Sequence, residues 1–243
     1  MVVLTMRIEI WSDVVCPWCF IGKRRLERAL DGFAHRDDVE IEYRSFELDP
    51  AAPAPATERM EDRLVSKYGG GVENARQMMA HVTELAAVEG LEYHLDRTLR
   101  GNTFDAHRLL HLALHEAGPR VQVQLKESLM TAYFTHAEDI TDHDVLRKVA
   151  TGAGLDPSRV DAVLASHEYA DAVRADVDQA RAFGASGVPF FVVDRKYAVS
   201  GAQPAELFTD VLEQAWADSH PQLSVIGGTG EVDGEVCGPD GCA

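Results

Sequence analysis

Cations are scarce in this chain. Its 23 lysines and arginines stand against 40 aspartates and glutamates, a formal net charge of -17. That balance repels polyanions, and the positive residues form no stripe, so nucleic acid is excluded as a partner. Long apolar runs are missing too. None approaches the ~20 residues that a membrane span needs, so no membrane partner is expected. The N-terminal MVVLTMRIEIW lacks both a basic region and a small-residue cleavage site, so it does not read as a secretory signal. The expected compartment is therefore the cytoplasm. Cysteine is limited to four residues, and in a reducing cytosol such cysteines are more often catalytic or metal-bound than structural bridges. No internal repeat is present. What remains is an ordinary apolar content over 243 residues, enough for one large domain or a domain carrying an insertion.

Residues 7–15 alternate and are rich in Ile, Val and Trp, which predicts a strand. A helix should start at Pro17, where a missing N–H costs nothing, with Cys19, Leu26, Leu30 and Phe33 on one stripe and Gly22 allowing close approach. Residues 39–48 predict a second strand, closed by the turn DPAAPAPA, so the unit is βαβ. From 57 to 166 the pattern is helices only, two of them with Thr141 and Asp156 as N-caps. A further helix over 168–183, a hairpin of two short strands turning at Asp194-Arg195, and a closing helix over 204–219 complete the order. The segment after Pro221 is Gly-rich and aperiodic, which predicts a mobile tail. The expected architecture is a small α/β sheet interrupted by an all-helical insertion, divided as 1–56, 57–166, 167–220 and a tail over 221–243.

The chemistry centres on CPWC. A thiol reacts as its thiolate, and a helix N-terminus offers partial positive charge and unpaired N–H donors. With Pro17 first in the helix, Cys16 falls at the N-cap, where an anionic sulfur is favoured. Cys19 lies one turn deeper on the apolar stripe. This spacing predicts an exposed attacking sulfur on Cys16 and a shielded resolving one on Cys19. A C-x-x-C between a strand and a helix of a βαβ unit is the redox pattern. Two alternatives remain open at this level: a zinc site shared with a second pair, Cys237 and Cys242, and two inert buried cysteines. The redox reading is preferred, because Pro17-Trp18 is a bulky filling for a metal knuckle, and it requires no metal.

VVCPWCFIGKRRLERAL, RSFELDP, NTFDAHRL, FTHAEDITDHDVL and GVPFFVV…YAVSGAQP together resemble the DsbA family, and within it the FrnE-like branch. The resemblance spans about residues 6 to 219. It implies a thioredoxin-like fold with an inserted helical domain, and thiol–disulfide exchange that needs no bound cofactor. It makes Cys16 the nucleophile and Cys19 the resolving cysteine. Pro17 and Trp18, between the sulfurs, would set the redox poise. Pro189 would be the cis proline beside the motif, with the Val188 backbone presented to Cys16 to pair with a substrate strand; a proline that only opens an edge strand is the competing reading. The partners implied are disulfide-containing proteins or peptides and a cellular thiol reductant or oxidant, and a cytoplasmic setting favours reductase or isomerase use. One departure stands out. Secreted DsbA enzymes place an acid beneath the resolving cysteine, and the matching position here is Ile10. Asp13 is the nearest candidate for tuning the thiol pKa, with Glu9 also close by.

The pair Cys237/Cys242 is read either as a relay dithiol exchanging with Cys16 or as an incidental pair. His107, His111 and His115, at i, i+4, i+8, are read as a solvated helical face rather than a metal site. The runner-up function is a glutathione-dependent isomerase or transferase of the kappa-class or 2-hydroxychromene-2-carboxylate isomerase type, with glutathione as co-substrate. Those relatives resemble this chain in NTFDAHRL but generally carry Ser at the position of Cys16. A zinc-binding or holdase module is a third class.

Overall fold

The computed structural model describes residues 5–220, together with 237–238 and 241–242. Strand β1 (Met6–Ser12) leads into helix α1 (Pro17–Asp31), and β2 (Val39–Ser45) returns parallel to β1 in the register Ile8↔Ile41 and Ile10↔Tyr43. Both strands stop earlier than their hydrophobic pattern predicts. Residues 13–15 turn instead, because the Asp13 carboxylate is needed to accept the Leu48 N–H (2.8 Å).

The next segment is not purely helical. A short ladder, β3 (Glu58–Arg59) with β4 (Leu99–Arg100), brackets helices α2 (Met60–Tyr68) and α3 (Gly71–Val88). Two-residue strands carry no readable period, so the sequence could not announce them. Helices α4 (Phe104–Ala117), α5 (Pro119–Phe134), α6 (His143–Gly152) and α7 (Pro157–Leu164) follow. Asp156 caps α7 as expected. The α6 cap is Asp142, which accepts from Asp144 N, and not Thr141. Thr141 Oγ1 instead accepts the Ala56 N–H and donates to Asp139, tying the loop ahead of the helix.

Helix α8 (Ala170–Ala182) returns the chain to the sheet, and β5 (Phe190–Val193) and β6 (Tyr197–Ser200) form the expected hairpin. Asp194 and Arg195 both take positive φ (48° and 55°), the twist that matches a tight two-residue turn. Helix α9 (Ala205–Ser219) follows. The sheet order is β2-β1-β5-β6, with β1 and β2 parallel and the other pairs antiparallel. Near the end of the chain, β7 (Cys237–Gly238) pairs with β8 (Gly241–Cys242), with Cys237 opposite Cys242 along the backbone. The rest of the tail, and with it the expected mobility, lies outside the described residues.

Alternation along β1 assigns its two faces. Met6, Ile8 and Ile10 pack with Leu26, Leu30 and Phe33 of the α1 end and Phe208 and Leu212 of α9. Trp11 faces the other way, with Phe190, Val192 and Ala180, and its indole N–H donates to Asp176 O (2.8 Å). Helix α1 serves two cores. Its C-terminal half belongs to the sheet cluster, whereas Cys16, Cys19, Phe20 and Ile21 belong to the cluster built from α3–α7. Phe20 stacks on Tyr93 and lies 6.1 Å from the Phe134 ring, centroid to centroid.

Edge strand β2 is closed by a side chain. Gln122 of α5, fully buried, accepts the Tyr43 N–H through Oε1 (2.8 Å) and donates through Nε2 to Tyr43 O (2.9 Å), pairing as a neighbouring strand would. Gln122→Leu keeps the volume but strands both backbone groups. The expected loss is about 2–3 kcal/mol of unfolding free energy, from the cost of unsatisfied buried groups. Urea denaturation of the variant checks it, and an unchanged midpoint would show the amide to be dispensable.

Candidate active site

Cys16 is the N-cap of α1 with extended backbone (φ -88°, ψ 113°), and Pro17 is the first helical residue, as the sequence predicts. Cys19 completes the first turn, its N–H donating to Cys16 O (3.0 Å). Both thiols are free. The expected contrast in exposure is absent: Cys16 is 3% exposed and Cys19 2%. The sequence stripe accounted for only one wall around Cys16. The second is the 188–189 segment, whose Val188 O accepts from Cys16 Sγ (3.6 Å), and the third is the helical block. Trp18 is the most exposed residue of the motif, at 37%, and Pro17 is half-buried.

The Val188–Pro189 bond is cis, and Pro189 packs against α1 at Gly22. A Cβ there would come within 3.1 Å of Pro189 Cγ and 3.3 Å of Phe191, so the glycine sets how closely the loop approaches the motif. Tyr93 fixes the other side by donating from its hydroxyl to Pro17 O (2.9 Å). Thus Cys16, Pro17, Trp18, Cys19, Val188 and Pro189 are brought to one place from both ends of the chain. Cys237 and Cys242 are described through their backbone pairing alone.

Beneath the motif is a buried polar cluster. The Asp13 carboxylate is engaged on both oxygens, with Oδ2 accepting from Leu48 N and Oδ1 lying 3.3 Å from His107 Nε2. Glu9 is withdrawn too: it is buried against Arg44 and Arg195 on the Trp11 side of the sheet. Ile10 is an ordinary core residue. Lys126 of α5 enters the cluster fully buried and donates to Ser12 O (3.1 Å).

The histidine face expected to be solvated is largely internal. His107 and His111 are buried, and His115 alone is exposed. His107 meets Asp13, and His111 Nε2 lies 3.0 Å from Asp176 Oδ2 and 3.1 Å from Ser45 Oγ. The acids that complete these pairs are 65 or more residues away in sequence, so periodicity within one helix could not reveal them. Among the described residues no three His, Cys, Asp or Glu side chains converge as a metal site.

These surroundings set the protonation of the pair. The hydrogen bond shared with Cys19, followed by burial and the charge on Cys19, pushes the Cys16 thiol well up. Burial also opposes ionisation of Cys19. The interaction with Cys16 and the Lys126 ammonium outweigh it and bring that thiol below its usual range. Of the two thiols, Cys16 is the harder to ionise and Cys19 the easier. Cys16 Sγ makes no side-chain capping hydrogen bond, and burial removes solvation that would support a charge on it.

Lys126, His107, Tyr93 and Ser12 were not singled out from sequence. Lys126 did leave a trace, because it shares with Gln122 an otherwise apolar stripe of Leu125, Leu129, Met130 and Tyr133 at helical spacing.

A family model described as a DSBA-like thioredoxin domain matches residues 7–213. The crystal structure titled "probable DsbA oxidoreductase SCO1869" from Streptomyces coelicolor is 47% identical, with 98% of each chain covered and a TM-score of 0.83. The uncharacterized protein YwbO of Bacillus subtilis is 28% identical over 88% of this chain and 98% of its own. The cytosolic disulfide reductase DsbM of Pseudomonas aeruginosa, solved with GSH, shares the fold at 15% identity, with 86% of this chain and 98% of that one covered and a TM-score of 0.60. No helix among the described residues is long and apolar enough to cross a membrane.

The Asp13–His107 contact makes stability pH-dependent with a definite sign. Burial holds the His107 imidazole below its ordinary pKa, although Asp13 works the other way. Asp13 is opposed by burial but held below its usual range by His107, Leu48 N–H and Lys126. Both folded-state values lie under the unfolded ones, so the unfolded chain takes up protons first and stability falls on acidification. The loss should begin below about pH 6.5 through His107 and steepen below about pH 4 through Asp13. Urea midpoints measured from pH 8 to 3 check this. His107→Gln should remove the upper part of the slope, and a wild-type profile flat from pH 7 to 5 would refute it.

Proposed function

The chain belongs to the DSBA-like thioredoxin domain family, and on that premise we propose that it is a dithiol–disulfide oxidoreductase working through Cys16 and Cys19. The observation that carries the reading is the placement of two free thiols in the first turn of α1, beside the carbonyl of Val188 and Pro189. Its substrates are disulfide-containing proteins or peptides, and its setting is cytoplasmic. The narrower FrnE-like placement rests on the motif set alone.

In this mechanism the dithiol shares one proton. When it passes from Cys16 to Cys19 along their hydrogen bond, the Cys16 thiolate attacks a substrate sulfur. A Cys16–substrate disulfide forms, and the substrate's other sulfur leaves as a thiolate that takes a proton from water. Cys19, deprotonated again with help from Lys126, attacks Cys16 Sγ and releases the second substrate thiolate. The enzyme is left with a Cys16–Cys19 disulfide, two electrons having gone to the substrate. Two equivalents of a small thiol return it to the dithiol, and glutathione is the proposed donor. Val188 O and the backbone around Pro189 offer the extended edge on which a substrate strand is held next to Cys16. Trp18, exposed over the motif, supplies apolar contact. The glutathione-dependent transferase reading ranks second, because a dithiol supports exchange where a lone hydroxyl would not.

Cys16→Ser should reduce insulin-disulfide reduction to background, and Cys19→Ser should accumulate a mixed disulfide on Cys16, read by mass spectrometry after alkylation. Undiminished reduction by Cys16→Ser would overturn the proposal. Tight glutathione binding by calorimetry without any dithiol activity would give the transferase reading precedence.

A further inference from the structure

Two lysines of this protein are almost completely buried, and their surroundings differ in kind. Lys23 pairs with both Glu27 and Glu127. Lys126 is shielded at 0% exposure, yet among the described residues it forms no ion pair. Its hydrogen bond goes to the Ser12 carbonyl, and its ammonium lies 5.5 Å from the centre of the Tyr43 ring. Neither group carries a compensating charge. Leaving an ammonium unpaired in an interior costs several kcal/mol, so the counter-charge must come from a neighbour that ionises.

The groups facing Lys126 are few. Asp13 on the β1–α1 turn is a carboxylate whose charge reaches the ammonium, but its oxygens engage Leu48 N–H and His107 and it makes no ion pair with Lys126. His107 on α4 is no anion, and burial drives the Tyr43 phenol on β2 well above its usual range, so it stays neutral. There remain Cys16 and Cys19 at the start of α1, four and seven residues beyond the carbonyl that anchors the lysine. Ile10, earlier on β1, is an apolar core residue and holds no charge.

We infer that Lys126 is the charge partner of the active-site dithiol: a buried ammonium, contributed by the helical block, that positions negative charge on Cys19. This rests on the dithiol reading proposed above and deepens it. Lys126 touches no substrate; it acts through Cys19 and is a positioning residue. The consequence is a coupling of electrons to protons. In the dithiol state the ammonium and the thiolate stabilise each other, and burial leaves the lysine at about 8. In the disulfide state the thiolate is gone and the lysine releases its proton more readily. Reduction of the disulfide with Lys126 neutral takes two electrons from a thiol donor and two protons, and yields Cys16–SH, Cys19–S⁻ and Lys126–NH₃⁺. The dithiol is thereby favoured, and the couple is more oxidising than CPWC alone would be.

Lys126→Met keeps the length of the side chain and removes the charge. The first thiolate titration, followed by absorbance at 240 nm, should move up by about one unit in this variant. The exchange constant with glutathione should move about tenfold towards the disulfide, a change of about 30 mV. Lys126→Arg should return both readings towards wild type, which a purely steric role would not do. Should Lys126→Met fail to fold by circular dichroism, the unsubstituted protein decides: the Lys126 Nζ resonance should titrate at least one unit higher in the reduced than in the oxidised form. Equal lysine titrations in the two states, or an unshifted thiolate midpoint in a folded Lys126→Met, would overturn the inference. The titrations require no turnover. Absent insulin reduction by wild type would sink the proposed function alone, whereas active wild type with unshifted titrations would sink this inference alone.

Discussion

Helix α1 has to satisfy two hydrophobic cores with one face, and the site exists because it does. Its later residues Leu26 and Leu30, with Phe33 just past its end, are held by the sheet and α9, while Phe20 and Ile21 in its first turns are held by Tyr93, Phe134 and the rest of the helical cluster. The junction between those cores falls at Cys16 and Cys19. Burying the Phe20 side chain there is worth roughly 1.5–3 kcal/mol, which offsets part of the cost of desolvating two thiols beside it. Gly22 is the complementary concession. It lets Pro189 come down onto the helix, so that the Val188 carbonyl reaches Cys16.

Electrostatics in such a junction follow from what is excluded. In a chain with a net charge of -17, the site draws its cation from a different helix. Burial alone would keep both thiols protonated. The helix N-terminus does not reverse that, since Cys16 Sγ points at a carbonyl and accepts no capping N–H. Ionisation is easier one turn further in, at Cys19, where the Lys126 ammonium offsets part of the cost of burial. Asp13 contributes its backbone N–H, while its carboxylate is spent on His107 and Leu48. The helical block is therefore part of the chemistry of the motif as well as its cover.

Much of this was legible in advance. The β1–α1–β2 unit, the Asp194-Arg195 hairpin and the buried stripe through Cys19 are local patterns, and local patterns survive folding because backbone geometry imposes their period. Pro17 at the first helical position needed nothing beyond its own missing N–H. The failures share another cause. His107 and His111 are polar residues at helical spacing, and only the arrival of Asp13 and Asp176 from other elements turns a solvated face into an internal one. The ladder between 58–59 and 99–100 is too short for any period to show. Thr141 and Asp142 are both good caps, and the tie from Thr141 to Ala56 leaves the helix start to its neighbour.

By itself the sequence determined that a dithiol would stand at the start of a helix in a βαβ unit, and that a proline-led strand would follow a long helical segment. Those are statements about neighbours along the chain. The tertiary structure decided how far each sulfur is hidden, and that Lys126 enters the buried cluster at Ser12, 107 residues from Cys19. A pKa depends on every dipole and charge within several ångströms, whatever their separation in sequence. Those distances come into being only when the helical block closes over the first turn of α1.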